Sequence, residues 1–366
     1  ALFAGALQAA ELEIWTDVSG MYTANPKLVS GARPIPTLSY EEAMELSHFG
    51  AKVLYPPTIR PALQANIPIL IRNTFKPEEP GTRIEVDGNP LGRTVRGISY
   101  VPGIALLSLE GPGMIGIPGI SHRFFEVLWQ KEINVVFITQ ASSEHSICVG
   151  ILESQASLAS EAVNQAFERE IEKGGITPVQ VEAELSIVAL VGDRMKQHQG
   201  LSGRMFSTLG RNNVNIRAIA QGASERNISV VIGSGDVKKA LNTLHEAFFE
   251  EQVKQLNLFV MGVGNVGSRL LNQIREQQKV LKKDYRLLIR VVGISNSSKM
   301  VVREKGIPLD QWASVLEEGV PTSPKGYFDM VRKANLRNPI FIDNTASAEI
   351  SGWYAAYLRE SIAMVT

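Results

Sequence analysis

One cysteine, Cys148, in 366 residues excludes an intrachain disulfide and a cysteine-rich metal cluster. The five histidines are scattered, so no zinc-ligand spacing is present. Lys plus Arg and Asp plus Glu both number 37, for a formal net charge of zero. No basic cluster is interleaved with aromatics, which argues against nucleic acid and anionic membrane as partners. No apolar run approaches the roughly 18 residues that would span a bilayer. What is left is an ordinary globular composition, 44% hydrophobic, sufficient for a core in each of about two to four compact units. A reducing cytosol is the expected, cytoplasmic setting for such a chain.

What the chain does have is an internal repeat. ITQASSEHSICVGI, Ile138 to Ile151, returns 81 residues later as IAQGASERNISVVI, Ile219 to Ile232, without a gap. From Ile104 to Ile151 against Leu185 to Ile232, 16 of 48 positions are identical, among them Gly111/Gly192, Gly119/Gly200, Arg123/Arg204, Asn134/Asn215, Gln140/Gln221 and Glu144/Glu225. Chance gives only about 3. Two small-molecule sites related by pseudo-symmetry are the natural expectation.

The repeat is the middle of three zones. The first, 1–84, reads as an α/β layer: a helix over Ala1 to Ala10, the strand Leu12 to Trp15 ending in Thr16 and Asp17, a helix opened by Ser39 and Glu42 at capping-box spacing, and the strand Ile67 to Ile71. Lys76 to Gly97, with three Pro and four Gly among charges, reads as a linker without a packed element. Each copy of the repeat, 98–178 and 179–254, reads strand, Gly-rich turn, helix, strand, strand, helix, a ferredoxin-like unit. Exposed sheet edges predict either side-by-side pairing of the copies or dimerisation. The third zone, 255–366, places GVGNVG, Gly262 to Gly267, between the strand Leu258 to Met261 and a helix, followed by the strands Leu287 to Ile294 and Pro339 to Asp343 and a closing helix Glu349 to Glu360. Ala1 is not an initiator Met, and a strand is expected to begin near Met364, so the chain reads as a segment of something longer.

These zones carry different chemistry. A Gly-rich turn between an apolar strand and a helix puts free amides and the positive helix end at a pyrophosphate, which predicts dinucleotide binding. At the second strand's end the sequence has Ser295, Asn296, Ser297, Ser298 and Lys299 in place of an acidic residue, which suits a ribose 2′-phosphate; Lys299 as a solvated loop residue is the alternative. In the repeat, Asn134, Gln140, Asn215 and Gln221 flank the second strands, where amides fit the charged ends of an amino acid and Gly111 and Gly119 admit close backbone approach. Asn at a helix-to-strand turn has a purely geometric explanation too. Thr16, Asp17, Tyr22 and Lys52 suggest a nucleotide-phosphate site, although Asp-x-x-Gly is also an ordinary turn.

WTDVSGMYTANP, SYEEAMELSHFGAKVLYPPTI, IPILIRNT and PGT closely resemble the C-terminal half of an aspartokinase catalytic domain. The duplicated segment resembles that family's paired ACT regulatory modules, and VMGVGNVG, GISNSSK and IDNTAS resemble the start of homoserine dehydrogenase. This order is that of the bifunctional aspartokinase/homoserine dehydrogenases, and the resemblance covers essentially the whole chain. It implies a partial amino-acid-kinase layer, two βαββαβ ACT modules and a partial Rossmann domain. It also implies phosphorylation of L-aspartate by ATP with Mg²⁺, reduction of aspartate semialdehyde with NADP(H) or NAD(H), feedback by threonine, and a homo-oligomer formed through the ACT modules.

By that resemblance Thr16, Asp17, Tyr22, Lys27 and Lys52 fall on ATP contacts, with Asn25 and Lys27 departing from a more usual Asp and Arg. Asn134, Gln140, Asn215 and Gln221 fall on effector positions. Gly262, Val263, Gly264, Asn265, Val266 and Gly267 fall on the dinucleotide turn, with Thr345 and Ser347 at the nicotinamide end. The family's phosphate loop and aspartate-binding segment would precede Ala1, and its catalytic Lys and Asp would follow Thr366. No catalytic residue or metal ligand is therefore assigned, and the segment is expected to be catalytically incomplete. A non-catalytic amino-acid-binding and dimerisation module is the alternative. The copies differ at Pro112-Gly113 against Asp193-Arg194 and at Ile115 to Pro118 against Lys196 to Gln199, so unequal binding is expected, with Gln140's site first.

Overall fold

The computed structural model describes all residues except 49–53, 55, 87, 89–93, 141–144, 193–194, 196–197, 222–225 and 250–253. Lys52, Glu144 and Glu225 therefore lie outside the described residues. The chain forms two compact units, 1–203 with 215–241 and 204–214 with 242–366.

In the first unit, the short helix α1 (Leu2–Ala6) leads to β1 (Leu12–Thr16), β2 (Thr37–Leu38), α2 (Tyr40–His48), α3 (Pro56–Gln64), β3 (Ile69–Asn73) and β4 (Thr82–Ile84). The four strands form one sheet in the order β1-β3-β4-β2. The parallel β1/β3 pair brings Thr16 opposite Asn73. Strand β3 alternates buried Ile69, Ile71 and Asn73 with half-buried residues, the period of a sheet with one face on the core. Ser39 and Glu42 make the expected reciprocal capping box at α2, with Ser39 N–H donating to Glu42 Oε2 at 2.9 Å and Glu42 N–H donating to Ser39 Oγ at 3.1 Å.

Two expectations fail in this zone. The helix predicted over Ala1 to Ala10 extends only from Leu2 to Ala6, without a side-chain cap. The stretch read as a linker holds β4 in the interior of the sheet. Pro and Gly content registered the turns around it, whereas fully buried Thr82 is the anchor: its Oγ1 accepts from Met21 N–H at 2.8 Å and donates to the Ile35 carbonyl at 2.7 Å.

The repeat follows as β5 (Gly97–Glu110), α4 (Ile120–Gln130), β6 (Val135–Gln140), β7 (Ser146–Leu152), α5 (Ala156–Ala166) and α6 (Glu168–Glu172). The second copy comprises β8 (Gln180–Val191), α7 (Leu201–Arg211), β9 (Ile216–Gln221), β10 (Asn227–Gly233) and α8 (Val237–Phe249). Both first strands are longer than the predicted Ile104 to Leu109 and Leu185 to Val191, and the extension of each pairs with the predicted stretch of the other, Gly97 opposite Val191 and Ser108 opposite Gln180. One six-stranded sheet results, β6-β7-β5-β8-β10-β9. Side-by-side pairing thus covers the inner edges. The outer strands β6 and β9 bend to within 8 Å of each other.

The repeated sequence repeats its packing. Helix α4 buries Ile120, Phe124 and Leu128, one face at i, i+4 and i+8, and α7 buries Met205 and Leu209 at the positions matching Phe124 and Leu128. Each such side chain contributes about 1.5–3 kcal/mol over its exposed state. Glu132 and Asn213, at matching positions, both turn the chain through the left-handed region before β6 and β9. Arg123 stacks on Phe167 at 3.9 Å and pairs with Glu170 at 2.7 Å, while Arg204 stacks on Phe248 at 4.9 Å and donates to the Ala247 carbonyl.

The second unit holds β11 (Lys254–Met261), α9 (Asn265–Asp284), β12 (Leu287–Ser295), β13 (Lys299–Val302), α10 (Trp312–Glu317), β14 (Val320–Pro321), α11 (Pro324–Ala334), β15 (Pro339–Asp343), α12 (Ala348–Ser351), α13 (Tyr354–Arg359) and β16 (Ala363–Val365). Its sheet runs β14-β13-β12-β11-β15-β16, with β12, β11, β15 and β16 mutually parallel and β13 and β14 antiparallel additions at the edge. β16 begins where a strand was expected. The helix predicted over Glu349 to Glu360 divides at Gly352 and Trp353 into α12 and α13. Tyr357 stacks on Phe341 with ring centres 4.0 Å apart, and burial pushes the Tyr357 hydroxyl far up.

Candidate functional site

Three groups of residues at strand or helix ends are candidates, one in each zone. At the end of β1, Thr16 Oγ1 donates to Asp17 Oδ1 at 3.1 Å, and both stand beside buried Ser19 and Gly20. Asn73, from the adjacent end of β3, donates through Nδ2 to Ser19 Oγ at 2.8 Å. The Ser19 hydroxyl in turn holds the Glu79 carboxyl below its ordinary range, with Lys76 assisting. Tyr22 bridges to Pro34, and Lys27 is exposed. Asn25 Oδ1 accepts the Lys27 N–H at 3.0 Å, so this residue, which departs from the family pattern, works as a turn-former. Among the described residues, no hydrogen bond or ion pair joins Tyr22 or Lys27 to Thr16 or Asp17.

In the first copy of the repeat, a cavity of about 510 Å³ is lined by Met114, the turn 116–119, Ile120, Ser121, Gln140 and Ile147. Gly119, at φ +93°, caps α4 without any side-chain hydrogen bond, and the first intrahelical bond is Arg123 N–H to Gly119 carbonyl at 3.0 Å. Unbonded helix amides therefore open beside a carboxamide and a hydroxyl. Gln140 also borders a second cavity of about 430 Å³ with Glu110, Cys148, Glu182 and Arg217. Burial pushes the Cys148 thiol up, which disfavours a reactive thiolate.

The second copy arranges the same residue types differently. Ser202, the counterpart of Ser121, donates through Oγ to Gln221 Oε1 at 3.1 Å. Ser121/Ser202 is one of the repeat identities, so these partners were legible in the sequence although not singled out there. Asn134 and Asn215 are exposed at the turns before β6 and β9, and Asn134 does not line the Gln140 cavity. The expected role of Gly111 is also corrected: a Cβ there would collide with the backbone of Gly175 and Ile176, and at Gly192 with the Thr94 carbonyl. Both glycines admit the chain itself, whereas Gly119 has open space around its Cβ position.

The third group lies at the turn between β11 and α9. Gly262, at φ +90°, and Val263 both donate N–H to the Ser295 carbonyl at 2.9 Å, and a Cβ on Gly267 would overlap the Gly262 carbonyl. Strand and helix thus approach as a dinucleotide fold requires. Gly264 caps the 20-residue α9 without a side-chain bond; Gly264, Asn265 and Val266 are exposed, and the first backbone bond is Ser268 N–H to Gly264 carbonyl. Asn344 Nδ2 is buried beside this turn without a partner. These features fit a pyrophosphate.

The ribose end fits a 2′-phosphate less directly. Ser295 Oγ is buried, Asn296 Oδ1 accepts the amides of Ser298 and Lys299 at 2.8 and 2.7 Å, and Lys299 Nζ pairs with Glu317 Oε2 at 2.6 Å. Lys299 is thus neither a simple solvated residue nor an uncommitted cation. Asp343 and Tyr354, absent from the sequence candidates, bond to Thr345 and Asp343 respectively; the acidic end of an apolar strand beside Asn344-Thr345 was the available signal.

The fold and sites define a class: an amino-acid-kinase segment, a pair of ACT modules and a nicotinamide-dinucleotide-binding domain in one chain. The amino acid kinase family profile matches residues 1–73, the ACT domain profile 107–167 and 188–248, and the homoserine dehydrogenase NAD-binding profile 262–366. The whole chain is 40% identical over 369 residues to the bifunctional aspartokinase/homoserine dehydrogenase of Haemophilus influenzae, spanning 45% of that protein. It is 39% identical over 373 residues to chloroplastic bifunctional aspartokinase/homoserine dehydrogenase 1 of Arabidopsis thaliana, spanning 41%. Among solved structures, E. coli aspartokinase III with aspartate and ADP superposes with a TM-score of 0.58 at 30% identity, over 68% of this chain and 54% of that one. Clostridium acetobutylicum aspartate kinase gives 0.59 at 29% identity, over 67% and 56%. The chain belongs to the bifunctional aspartokinase/homoserine dehydrogenase family, and it spans less than half the length of these two curated relatives. Among the described residues, no helix is long and apolar enough to cross a membrane.

Proposed function

We propose that the parent enzyme of this chain phosphorylates L-aspartate with ATP and reduces aspartate semialdehyde to homoserine with NADPH or NADH, that this segment alone is catalytically incomplete, and that its ACT modules bind threonine as a feedback effector. One observation carries the reading: kinase, ACT and dinucleotide-binding profiles follow one another in a single chain whose Gly-rich turn has the close strand-helix approach of a pyrophosphate site.

Phosphoryl transfer depends on positioning and on neutralising charge with Mg²⁺ and cationic side chains. Thr16, Asp17, Tyr22, Lys27 and Lys52 are the candidates for the ATP side. At the dehydrogenase, the exposed amides at the start of α9, Gly264 to Val266, would receive the pyrophosphate, with those of Gly262 and Val263 holding the turn on Ser295, and Thr345 and Ser347 would stand at the nicotinamide end. Ser295 and Asn296 border the adenosine ribose, and Lys299 would serve a 2′-phosphate only on leaving Glu317.

For the effector, an amino acid needs a site for its carboxylate and a fit for its side chain. The free α4 amides supply the first, and Gln140, Ser121 and the apolar wall of Ile117, Ile120 and Ile147 supply the second. Gln221, Asn134 and Asn215 are secondary candidates. Inhibition then requires that threonine bind one arrangement of the protein better than another. A homo-oligomer through the ACT sheets, in a cytoplasmic setting, completes the reading.

Lysine is the rival effector, because E. coli aspartokinase III was solved with lysine and aspartate. Calorimetry with threonine, lysine and isoleucine tests the assignment: saturable heat with threonine is expected, and no binding by any of the three overturns the effector role. Coupled assays of aspartate phosphorylation and NADPH oxidation on this chain and on the full-length parent test the two activities separately: turnover is expected of the parent alone, and turnover by this chain would refute its incompleteness.

A further inference from the structure

We infer that Asp343 fixes Thr345 as a hydrogen-bond acceptor towards ligand, with Tyr354 anchoring Asp343, so that the site selects dinucleotides whose pyridine ring carries a carboxamide N–H donor. The inference rests on the dinucleotide-binding reading.

Asp343 ends β15 and accepts two bonds on Oδ1, from Thr345 N–H at 2.8 Å and Thr345 Oγ1–H at 2.7 Å. Its other oxygen, Oδ2, accepts from the Tyr354 hydroxyl at 2.7 Å. A threonine hydroxyl has one proton and two lone pairs. The proton is committed to Asp343, and one lone pair receives Ser347 N–H at 3.3 Å. One lone pair remains. The Asp343 hydrogen bond raises the Tyr354 hydroxyl, so this anchor stays protonated at neutral pH.

Position makes the remaining lone pair relevant. The Thr345 methyl lies 2.8 Å from where a Cβ on Gly262 would stand, so Thr345 sits directly over the first glycine of the dinucleotide turn. Thr345 is half-buried, so water can meet this lone pair in the free protein, and a ligand that covers it must supply a donor in the water's place. A nicotinamide carboxamide carries two N–H donors, whereas an acetyl group of similar shape carries none. Asp343 and Tyr354 are positioning residues acting through Thr345.

The test is calorimetric titration of the chain with NADP⁺ and with its 3-acetylpyridine analogue, taking the ratio of the two affinities within each variant. The wild type should prefer the carboxamide about tenfold, the effect of an acceptor covered by the ligand and left without a donor. Thr345→Val should bring the ratio to near one while both ligands still bind through the pyrophosphate turn. Asp343→Ala, which returns the hydroxyl proton to Thr345, should reduce the ratio to within about twofold. Asp343→Asn should restore it, because the amide oxygen accepts the same two bonds and the amide nitrogen donates to Tyr354. Equal affinities in the wild type, or a preference that survives Thr345→Val, would overturn the inference. Failure of the wild type to bind either dinucleotide would overturn the dinucleotide reading and the inference with it.

Discussion

The two copies of the repeat share a scaffold and diverge at the face that carries the paired Ser and Gln. Met114, Phe124 and Leu128 in the first copy have Met195, Met205 and Leu209 as buried counterparts. Gly111 and Gly192 both admit a crossing backbone, and Arg123 and Arg204 both stack on an aromatic ring. The polar pair differs: Ser121 and Gln140 stand on a cavity wall, whereas Ser202 and Gln221 bond to each other. Duplication therefore preserved what a ferredoxin-like module needs to pack and left the hydrogen-bonding of the second pair committed internally. Identity at a repeat position does not by itself identify a ligand contact.

Paired substitutions separate what the copies share from what they do not. The largest effects belong to the shared scaffold: Gly111→Ala and Gly192→Ala should each cost about 2–3 kcal/mol, because either methyl must displace backbone. Denaturant unfolding reads this, and a loss at one position but not the other would refute the common role.

Arg123→Met and Arg204→Met should each cost about 0.5–1 kcal/mol through the lost stacking. Their acid dependence should differ. Arg123 holds the Glu170 carboxyl below its ordinary value of 4.5. A depressed carboxylate stabilises the fold above its unfolded pKa and loses that contribution as pH falls through the folded one. The Arg123→Met deficit should therefore shrink below about pH 4. Arg204 donates to the Ala247 carbonyl, so its deficit should not fade in this way. Both residues are near the surface, and salt will weaken the pH-dependent part. A smaller effect is expected of Ser202→Ala, which releases Gln221; effector affinity in the second copy should rise about twofold, and an unchanged titration would show that the bond does not restrain that site.

Much of this was legible in the sequence because the signals were periodic or paired. The ungapped echo identified the two modules, and strand-GVGNVG-helix located the dinucleotide turn. The failures have physical causes. Pro and Gly in Lys76 to Gly97 mark turns, but composition does not register that Thr82 bonds both Met21 and Ile35 and draws β4 inside the sheet. Asn134 and Gln140 are both duplicated, exposed amides, yet Asn134 follows a left-handed turn residue and only Gln140 borders the cavity. Lys299 looked available until its partner Glu317, 18 residues away, came into contact. Long-range partners of this kind leave no local pattern.

Titrating threonine into Gln140→Ala and Gln221→Ala by calorimetry asks whether two copies of one scaffold bind an effector unequally. Loss of an amide facing the open cavity should weaken binding about tenfold or more, and loss of the internally bonded amide less than about twofold. Equal losses in the two variants, or a greater loss with Gln221→Ala, would contradict the account.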